Sequence, residues 1–184
     1  MVTEDGVTLL ELQLRALRDA ARIAVVTEPT LWAGRPAPIR PGTGLPQVLP
    51  IPNPRWEEGP FRSIRMGLEA LGGDAPVLIV PVDCPVPPGV PAQLLRAVAP
   101  GHAWVAPAWE GHRGHPVLLT ASGRRRAMDA GADATLRDLL DATPGTAVAV
   151  ASPLVRCNLN TPSDRDRFLA EHPDWPDLPP GGAP

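Results

Sequence analysis

The sequence has no lysine and no tyrosine, and all 17 of its basic residues are arginine. Codon bias is the simplest explanation, but the chemical consequence stands: no catalytic step of this chain can use a lysine side chain. Basic charge is also in short supply, because 20 acidic residues leave a formal net charge of -3. That balance provides no electrostatic basis for binding nucleic acid or an anionic membrane surface, so we expect neither partner.

Cysteines and long apolar runs are scarce as well. The two cysteines, Cys84 and Cys157, are too few for a disulfide framework and lack the spacing of a metal site. Because we find neither an apolar run that could span a bilayer nor a signal-peptide pattern, we expect a cytoplasmic protein. The 184 residues, of which 43% are hydrophobic, suffice for one domain with a substantial core.

Buried strands alternate with amphipathic helices along the chain. Residues 23–27 and 76–82 are continuous apolar runs, which are typical of strands buried on both faces of a parallel sheet. The alternation predicts an α/β fold, a three-layer α/β/α sandwich in which residues 23–27 and 77–82 are neighbours in one mainly parallel sheet. We assign residues 1–172 to this domain and expect the proline-rich residues 173–184 to form a disordered tail.

Asp83 is the first candidate for chemistry, because it follows directly after the apolar run that ends at Val82. Ligands of open α/β sheets bind at the carboxyl ends of the strands, where this carboxylate is expected to lie. One such carboxylate can hold a magnesium ion that also binds substrate phosphates, since Mg²⁺ keeps several of its waters. An aspartate that only shapes the turn is an equally good interpretation.

Other polar residues precede predicted helices. Asn158 and Asn160 come before the helix that Thr161 caps, and asparagine is also simply a good turn residue there. An amide oxygen of Asn160 could nevertheless complete a cation site with Asp83. Gly59, at the start of another helix, offers backbone N–H groups to a nucleobase or an anion, although an ordinary helix cap is the better interpretation without context.

Three further interpretations have less support. Cys84 with a nearby histidine would suggest a thiol hydrolase, but its neighbours Asp83 and Pro85 favour a buried, inert thiol. A phosphatase of the haloacid dehalogenase type needs a second acid two positions after Asp83, where this chain has Pro85. The arginine run 124–126 is typical of a solvated helix face, with phosphate binding as the minority alternative.

Six segments, in order, resemble the molybdenum cofactor guanylyl/cytidylyltransferase-like (MobA/MocA-like) nucleotidyltransferase family. Each motif is weak alone, but together they extend over most of residues 5 to 170. The Asn-x-Asn-Thr-Pro motif and the Val-Asp-Cys-Pro motif are the parts that carry the family's metal contacts. The segments are 5–11, 58–68, 82–85, 114–117, 135–140 and 158–164.

The resemblance implies a Rossmann-like nucleotidyltransferase that moves a nucleoside monophosphate from GTP or CTP to a small phosphorylated acceptor, such as a molybdopterin, with release of pyrophosphate. By this resemblance Asp83 is the catalytic residue and holds Mg²⁺ together with Asn160. Gly59 and Ser63 would contact the nucleotide. The acceptor would be bound by the Gly-His-Pro segment, which consists of Gly114, His115 and Pro116.

The sequence differs from the family at the N-terminus. Family members begin with a strand and a glycine-rich loop whose arginine and lysine bind the triphosphate, and Met1 follows that point. We therefore expect a sheet that lacks its first strand, with apolar surface that a protein partner or an oligomer could cover. A start codon assigned too late, a partner that supplies the strand and a degenerate copy all remain possible. On this basis we expect at best weak activity, and the alternative function is an inactive relative that binds nucleotides or proteins.

Overall fold

The computed structural model describes residues 8–31 and 46–176, which contain six α-helices and seven β-strands. The helices and strands alternate along most of the chain, as the apolar pattern predicts. In chain order they are α1 (Leu9–Ala16), β1 (Arg22–Thr27), β2 (Gln47–Pro52), α2 (Pro60–Leu71), β3 (Val77–Ile79), α3 (Val90–Arg96), β4 (Trp104–Trp109), β5 (His112–Arg113), β6 (Val117–Leu119), α4 (Ala121–Asp129), α5 (Leu136–Ala142), β7 (Gly145–Ala149) and α6 (Pro162–Glu171).

The strands form two sheets. In the first sheet β1 and β2 are parallel, with Ile23 opposite Val48. In the second sheet β6 lies between β3 and β4 and is antiparallel to both, while β7 is parallel to β4. β3, β4 and β7 therefore run in one direction. The prediction that residues 23–27 and 77–82 are neighbours in one sheet is wrong, because within the described residues β1 pairs with β2 and β3 pairs with β6.

Helix α2 covers both sheets. Its glycine, Gly67, lies against β1, so that a Cβ atom built there would be 3.4 Å from the Val26 side chain. Phe61 and Leu68 of the same helix belong to an apolar cluster against which Val77 of β3 packs. The two sheets thus lie side by side under one helix, although no backbone ladder joins them among the described residues.

The two sheets also share a strand direction. At the start of β1, Arg22 donates a hydrogen bond of 3.1 Å to the Leu71 carbonyl at the end of α2. Just before β3, the Ala75 carbonyl and the Gly72 carbonyl after α2 accept hydrogen bonds from one arginine, Arg124. Both strands therefore start beside the C-terminus of α2, and their carboxyl ends lie on the side of its N-terminus.

Helices cover both faces of the second sheet, which confirms the three-layer sandwich. Trp104 and Leu119 belong to the cluster that α2, α4 and α5 cover. Their strand neighbours Val105 and Leu118 belong to another cluster, which includes Leu94 of α3. Successive side chains of a strand point to opposite faces, so these two clusters are the two sides of one sheet.

Arg124 corrects the expectation that residues 124–126 form a solvated helix face. Its side chain is buried and donates to the carbonyls of Leu68, Gly72 and Ala75, whereas Arg125 and Arg126 are exposed. The last carbonyls of a helix lack partners within the helix, and a guanidinium can supply several donors at once. The three arginines therefore have different roles despite being adjacent.

A third apolar cluster joins the two ends of the described chain. Leu9 and Leu12 of α1 pack with Phe168 of α6 and with Trp175, which is 3% exposed. Part of the predicted tail, residues 173–176, thus lies within the described structure, and the rest of it lies outside the described residues. No helix among the described residues is long and apolar enough to cross a membrane.

Candidate nucleotide and metal site

Asp83 lies in the turn after β3 and is half-buried. β3 ends at Ile79, before the predicted strand end at Val82, whose side chain is exposed. Its backbone carbonyl accepts a hydrogen bond of 2.8 Å from the backbone N–H of Leu159. Leu159 is the central residue of the Asn-x-Asn motif, so this bond places Asn158 and Asn160 beside the Asp83 turn. The structure thereby brings together two motifs that are distant in sequence.

The donors of this region suit a hard cation. Within the described residues, the hydrogen bond that reaches the Asp83 carboxylate comes from the Cys84 thiol, at 3.8 Å. This long contact leaves the carboxylate oxygens available, and the Asn160 side chain is exposed. A carboxylate and an amide oxygen fit Mg²⁺, which completes its shell with waters and phosphate oxygens. No set of three or more His, Cys, Asp or Glu side chains in residues 8–31 and 46–176 is arranged to hold a metal, so a zinc-type centre has no support there.

The Cys84 thiol does not have the environment of a nucleophile. Burial raises the pKa of Cys84 to about 12, and the negative charge of Asp83 acts in the same direction. Burial also raises the pKa of the Cys157 thiol. A reactive cysteine needs a low pKa, so both thiols stay protonated at neutral pH and the thiol hydrolase alternative loses its support.

The Gly-His-Pro segment lies near Asp83. The backbone N–H of His115 donates to the Val155 carbonyl at 2.7 Å, and Pro116 is fully buried. Burial lowers the pKa of the His115 imidazole, while the charge of Asp83 opposes that shift. The Nδ1 atom of His115 is buried and has no hydrogen-bond partner among the described residues. The His115 imidazole is thus neutral and buried near the candidate cation site, and its Nδ1 atom is not exposed to a ligand.

Next to Ser63, a predicted nucleotide contact, the structure adds a residue that the sequence did not indicate. Asn53 follows β2, is fully buried, and donates from Nδ2 to the Ser63 hydroxyl at 3.0 Å. Its backbone N–H donates to the Thr27 carbonyl at the end of β1. Asn53 therefore joins the ends of the first sheet to the first turn of α2, and Ser63 keeps its own hydroxyl proton for a ligand. The neighbours of Asn53 in sequence, Pro52 and Pro54, give no local signal of these contacts, because the partners lie on α2 and β1.

Gly59 contributes differently from the expectation. It precedes α2 with a φ of 97°, which glycine adopts without strain. Its N–H already donates to the Trp56 carbonyl at 3.2 Å, so this group is used within the protein. The nucleotide contact at Gly59 stays a prediction, and this N–H is not free to make it.

Comparison with known families identifies the family of the chain. Residues 1–148 match the MobA-like NTP transferase domain, which is more than half of the chain. The chain therefore belongs to the MobA-like NTP transferase family, as the resemblance implies. No curated protein sequence matches the chain.

Several solved structures share the fold. A Mycobacterium tuberculosis protein, Rv0371c, in a crystal structure with manganese, has 16% identity and a TM-score of 0.68, with 92% of this chain and 90% of that chain covered. A nucleotidyl transferase from Methanothermobacter, Mth528, has 21% identity and a TM-score of 0.63, with coverage of 91% and 81%. The 2-C-methyl-D-erythritol 4-phosphate cytidylyltransferase of Thermus thermophilus has 23% identity and a TM-score of 0.54, with coverage of 90% and 90%. At these identities the likeness establishes the α/β fold.

Proposed function

We propose that this protein transfers a nucleoside monophosphate from GTP or CTP to a small phosphorylated acceptor, a molybdopterin in our assignment, and releases pyrophosphate. Membership of the MobA-like NTP transferase family supports the nucleotidyl transfer. The observation that carries the assignment of a site is the hydrogen bond of 2.8 Å between Leu159 and Asp83. It joins the two motifs to which the family resemblance attributes the metal contacts.

Asp83 and Asn160 are the residues that would hold Mg²⁺. When bound, the ion offsets the negative charge on the phosphates during in-line displacement. A divalent ion is consistent with the manganese in the crystal structure of Rv0371c. The chain's own contribution is a carboxylate whose oxygens are hydrogen-bonded only by the Cys84 thiol, at 3.8 Å, among the described residues.

In this proposal, different segments of the chain bind the nucleotide and the acceptor. Ser63, oriented by Asn53, donates its hydroxyl to the nucleotide, and Gly59 leaves space beside it. Gly114, His115 and Pro116 form the acceptor side. Burial keeps the His115 imidazole neutral, so its side chain adds no charge to the acceptor side.

An inactive relative that binds nucleotides remains the second candidate function. A partner or a second copy over the sheet is part of the same proposal. Its support is that the side chains of β3 are half-buried, whereas those of β6 are fully buried.

The test of the metal assignment is Asp83→Ala. We expect Mn²⁺-dependent binding of GTP and CTP to weaken at least about tenfold, since even groups that only orient metal ligands contribute tenfold or more to affinity. Titration of Mn²⁺ by electron paramagnetic resonance, with and without nucleotide, measures this change, and circular dichroism checks the fold. Asp74→Ala, which removes the same charge from an exposed turn, is the control and should bind as the wild type does.

Pyrophosphate release from GTP and CTP, with and without molybdopterin, distinguishes the two functions. Release that depends on the acceptor and is lost in Asp83→Ala supports the transferase. Nucleotide binding without any release in the same assay would replace it with the non-catalytic relative. Equal metal binding by the wild type and Asp83→Ala would remove Asp83 from the site.

A further inference from the structure

The backbone on both sides of Asp83 accepts hydrogen bonds from a side chain of α1 that is distant in sequence. Gln13 of α1 is 3% exposed, and its Nε2 donates to the carbonyls of Val82 at 3.1 Å and Cys84 at 2.6 Å. Its Oε1 accepts a weaker hydrogen bond of 3.4 Å from the Val86 N–H. One amide group therefore binds the residue before Asp83, the residue after it, and the loop beyond.

Both N–H donors of the Gln13 amide and its oxygen make contacts with the loop. Both donors and one acceptor are engaged, and the contact with Cys84 is buried. Without Gln13, the carbonyls of Val82 and Cys84 would have to find other donors or face a costly desolvated state. The loop would then rotate its peptide groups toward solvent, and the Asp83 carboxylate would move with them.

The helix that carries Gln13 is itself fixed. Thr8 and Glu11 form a capping box at its start, and Leu9 and Leu12 pack into the third apolar cluster. The same loop is also tied by Trp175, whose indole N–H donates to the Val86 carbonyl at 3.3 Å. With the Leu159–Asp83 bond, elements from both ends of the chain converge on residues 82–86.

We propose that Gln13 is a positioning residue that holds the Asp83 turn in the geometry required for divalent-metal binding. The proposal rests on the proposed function, because it assumes that Asp83 binds the metal. A merely structural role for Gln13 predicts lower stability of the folded protein and unchanged metal affinity below the unfolding transition. Positioning predicts that metal affinity falls even where the variant is fully folded.

The variant Gln13→Met keeps the length and most of the packing of the side chain and removes its hydrogen bonds. Arg124→Met is the matched control, because Arg124 is also buried and also donates to three backbone carbonyls. These carbonyls lie at and after the C-terminus of α2, away from Asp83. Both variants are compared with the wild type and Asp83→Ala at a temperature where thermal unfolding curves show every protein to be folded.

Two measurements are made on these proteins. Mn²⁺ titration by electron paramagnetic resonance, with GTP present, reports metal affinity. Amide hydrogen exchange of the peptides that cover residues 82–86 reports whether the loop has loosened. We expect Gln13→Met to bind Mn²⁺ about 10- to 100-fold more weakly, the range seen for groups that orient metal ligands. Exchange in the loop should be faster, while Arg124→Met changes neither quantity.

Three outcomes would overturn the proposal, and they differ in whether they also refute the metal assignment of Asp83. Normal Mn²⁺ affinity in Gln13→Met, with loss in Asp83→Ala, refutes positioning and leaves the proposed function standing. Equal loss of affinity in Gln13→Met and Arg124→Met assigns the effect to general destabilisation. Mn²⁺ binding that is absent in the wild type, or unaffected by Asp83→Ala, refutes the metal assignment itself, and the positioning role fails with it.

Discussion

Gly114 illustrates how tightly single residues are constrained around the site. A Cβ atom built on Gly114 would lie 2.1 Å from the Val155 carbonyl oxygen and 2.7 Å from its carbon. The obstacle is backbone, which cannot rotate away as a side chain could. The adjacent hydrogen bond from His115 to the same carbonyl depends on this close approach. Gly114 therefore has a packing reason for being glycine that is independent of any contact with the acceptor.

The first prediction follows from this close approach. Gly114→Ala should lower the free energy of unfolding by about 1–3 kcal/mol, the usual cost of forcing an extra carbon into a packed site. Gly131→Ala is the control, because a Cβ atom there meets nothing within 4 Å, and it should stay within about 0.5 kcal/mol of the wild type. Urea unfolding measures both. Equal stability of Gly114→Ala and the wild type would mean that the segment can move away from Val155.

At the scale of secondary-structure elements, helix α1 is set by its first turn. The Thr8 hydroxyl accepts from the Glu11 N–H at 3.1 Å, and the Glu11 carboxylate accepts from the Thr8 N–H at 2.6 Å. The hydrogen bonds from the Thr8 backbone and side chain lower the pKa of Glu11. This capping box fixes the start of α1, and the cap predicted at Thr161 is confirmed.

The second prediction concerns the pH dependence of this cap. Because the pKa of Glu11 is lower in the folded state, its charged form stabilises α1 above the unfolded value of 4.5. This contribution is lost as the pH falls through the lower, folded pKa. Glu11→Gln should therefore be less stable than the wild type at pH 7, by about 0.3–1 kcal/mol for a solvent-screened charge at a helix start.

The difference between the Glu11→Gln variant and the wild type should shrink steadily as the pH falls below 4.5. Urea unfolding at a series of pH values measures it. Glu69→Gln, at an exposed position on α2, provides the comparison for a change of charge outside any cap. A difference that is as large at pH 2.5 as at pH 7 would contradict the electrostatic origin of the effect.

At the scale of the whole molecule, the two sheets differ in burial, so we expect them to differ in local stability. The second sheet has fully buried side chains in β6 and is covered by helices on both faces. In the first sheet β1 and β2 pair only with each other among the described residues, and their side chains are half-buried or exposed. Helix α2 is the element that both sheets share.

The third prediction is that backbone amides of β6 and of Trp104–Val105 in β4 exchange more slowly with deuterium than those of β1 and β2. Burial and pairing on both edges protect the former, while few buried contacts leave the latter free to open locally. Hydrogen exchange followed by mass spectrometry measures this order. A partner or second copy that covers β3 would slow exchange in β3 selectively at high protein concentration. Equal protection of both sheets in the dilute monomer would refute the prediction.

The sequence by itself determined the local features and their order. Helical stripes, capping boxes and the apolar run before Asp83 each depend on residues a few positions apart, so they can be read without a structure. The family resemblance identified the motifs at Asp83 and at Asn158–Asn160, and family membership is confirmed. Whether those residues bind a metal or a nucleotide stays a prediction.

Only the tertiary structure decided which distant groups meet. Gln13 against residues 82–86, Asn53 against Ser63 and Arg124 against the end of α2 are all polar side chains whose partners lie elsewhere in the chain. Nothing within a few residues of each distinguishes it from an ordinary surface residue. The same holds for the separation of β1 from β3, since strand pairing depends on which backbone edges come together. Packing, which acts between segments far apart in sequence, sets these contacts.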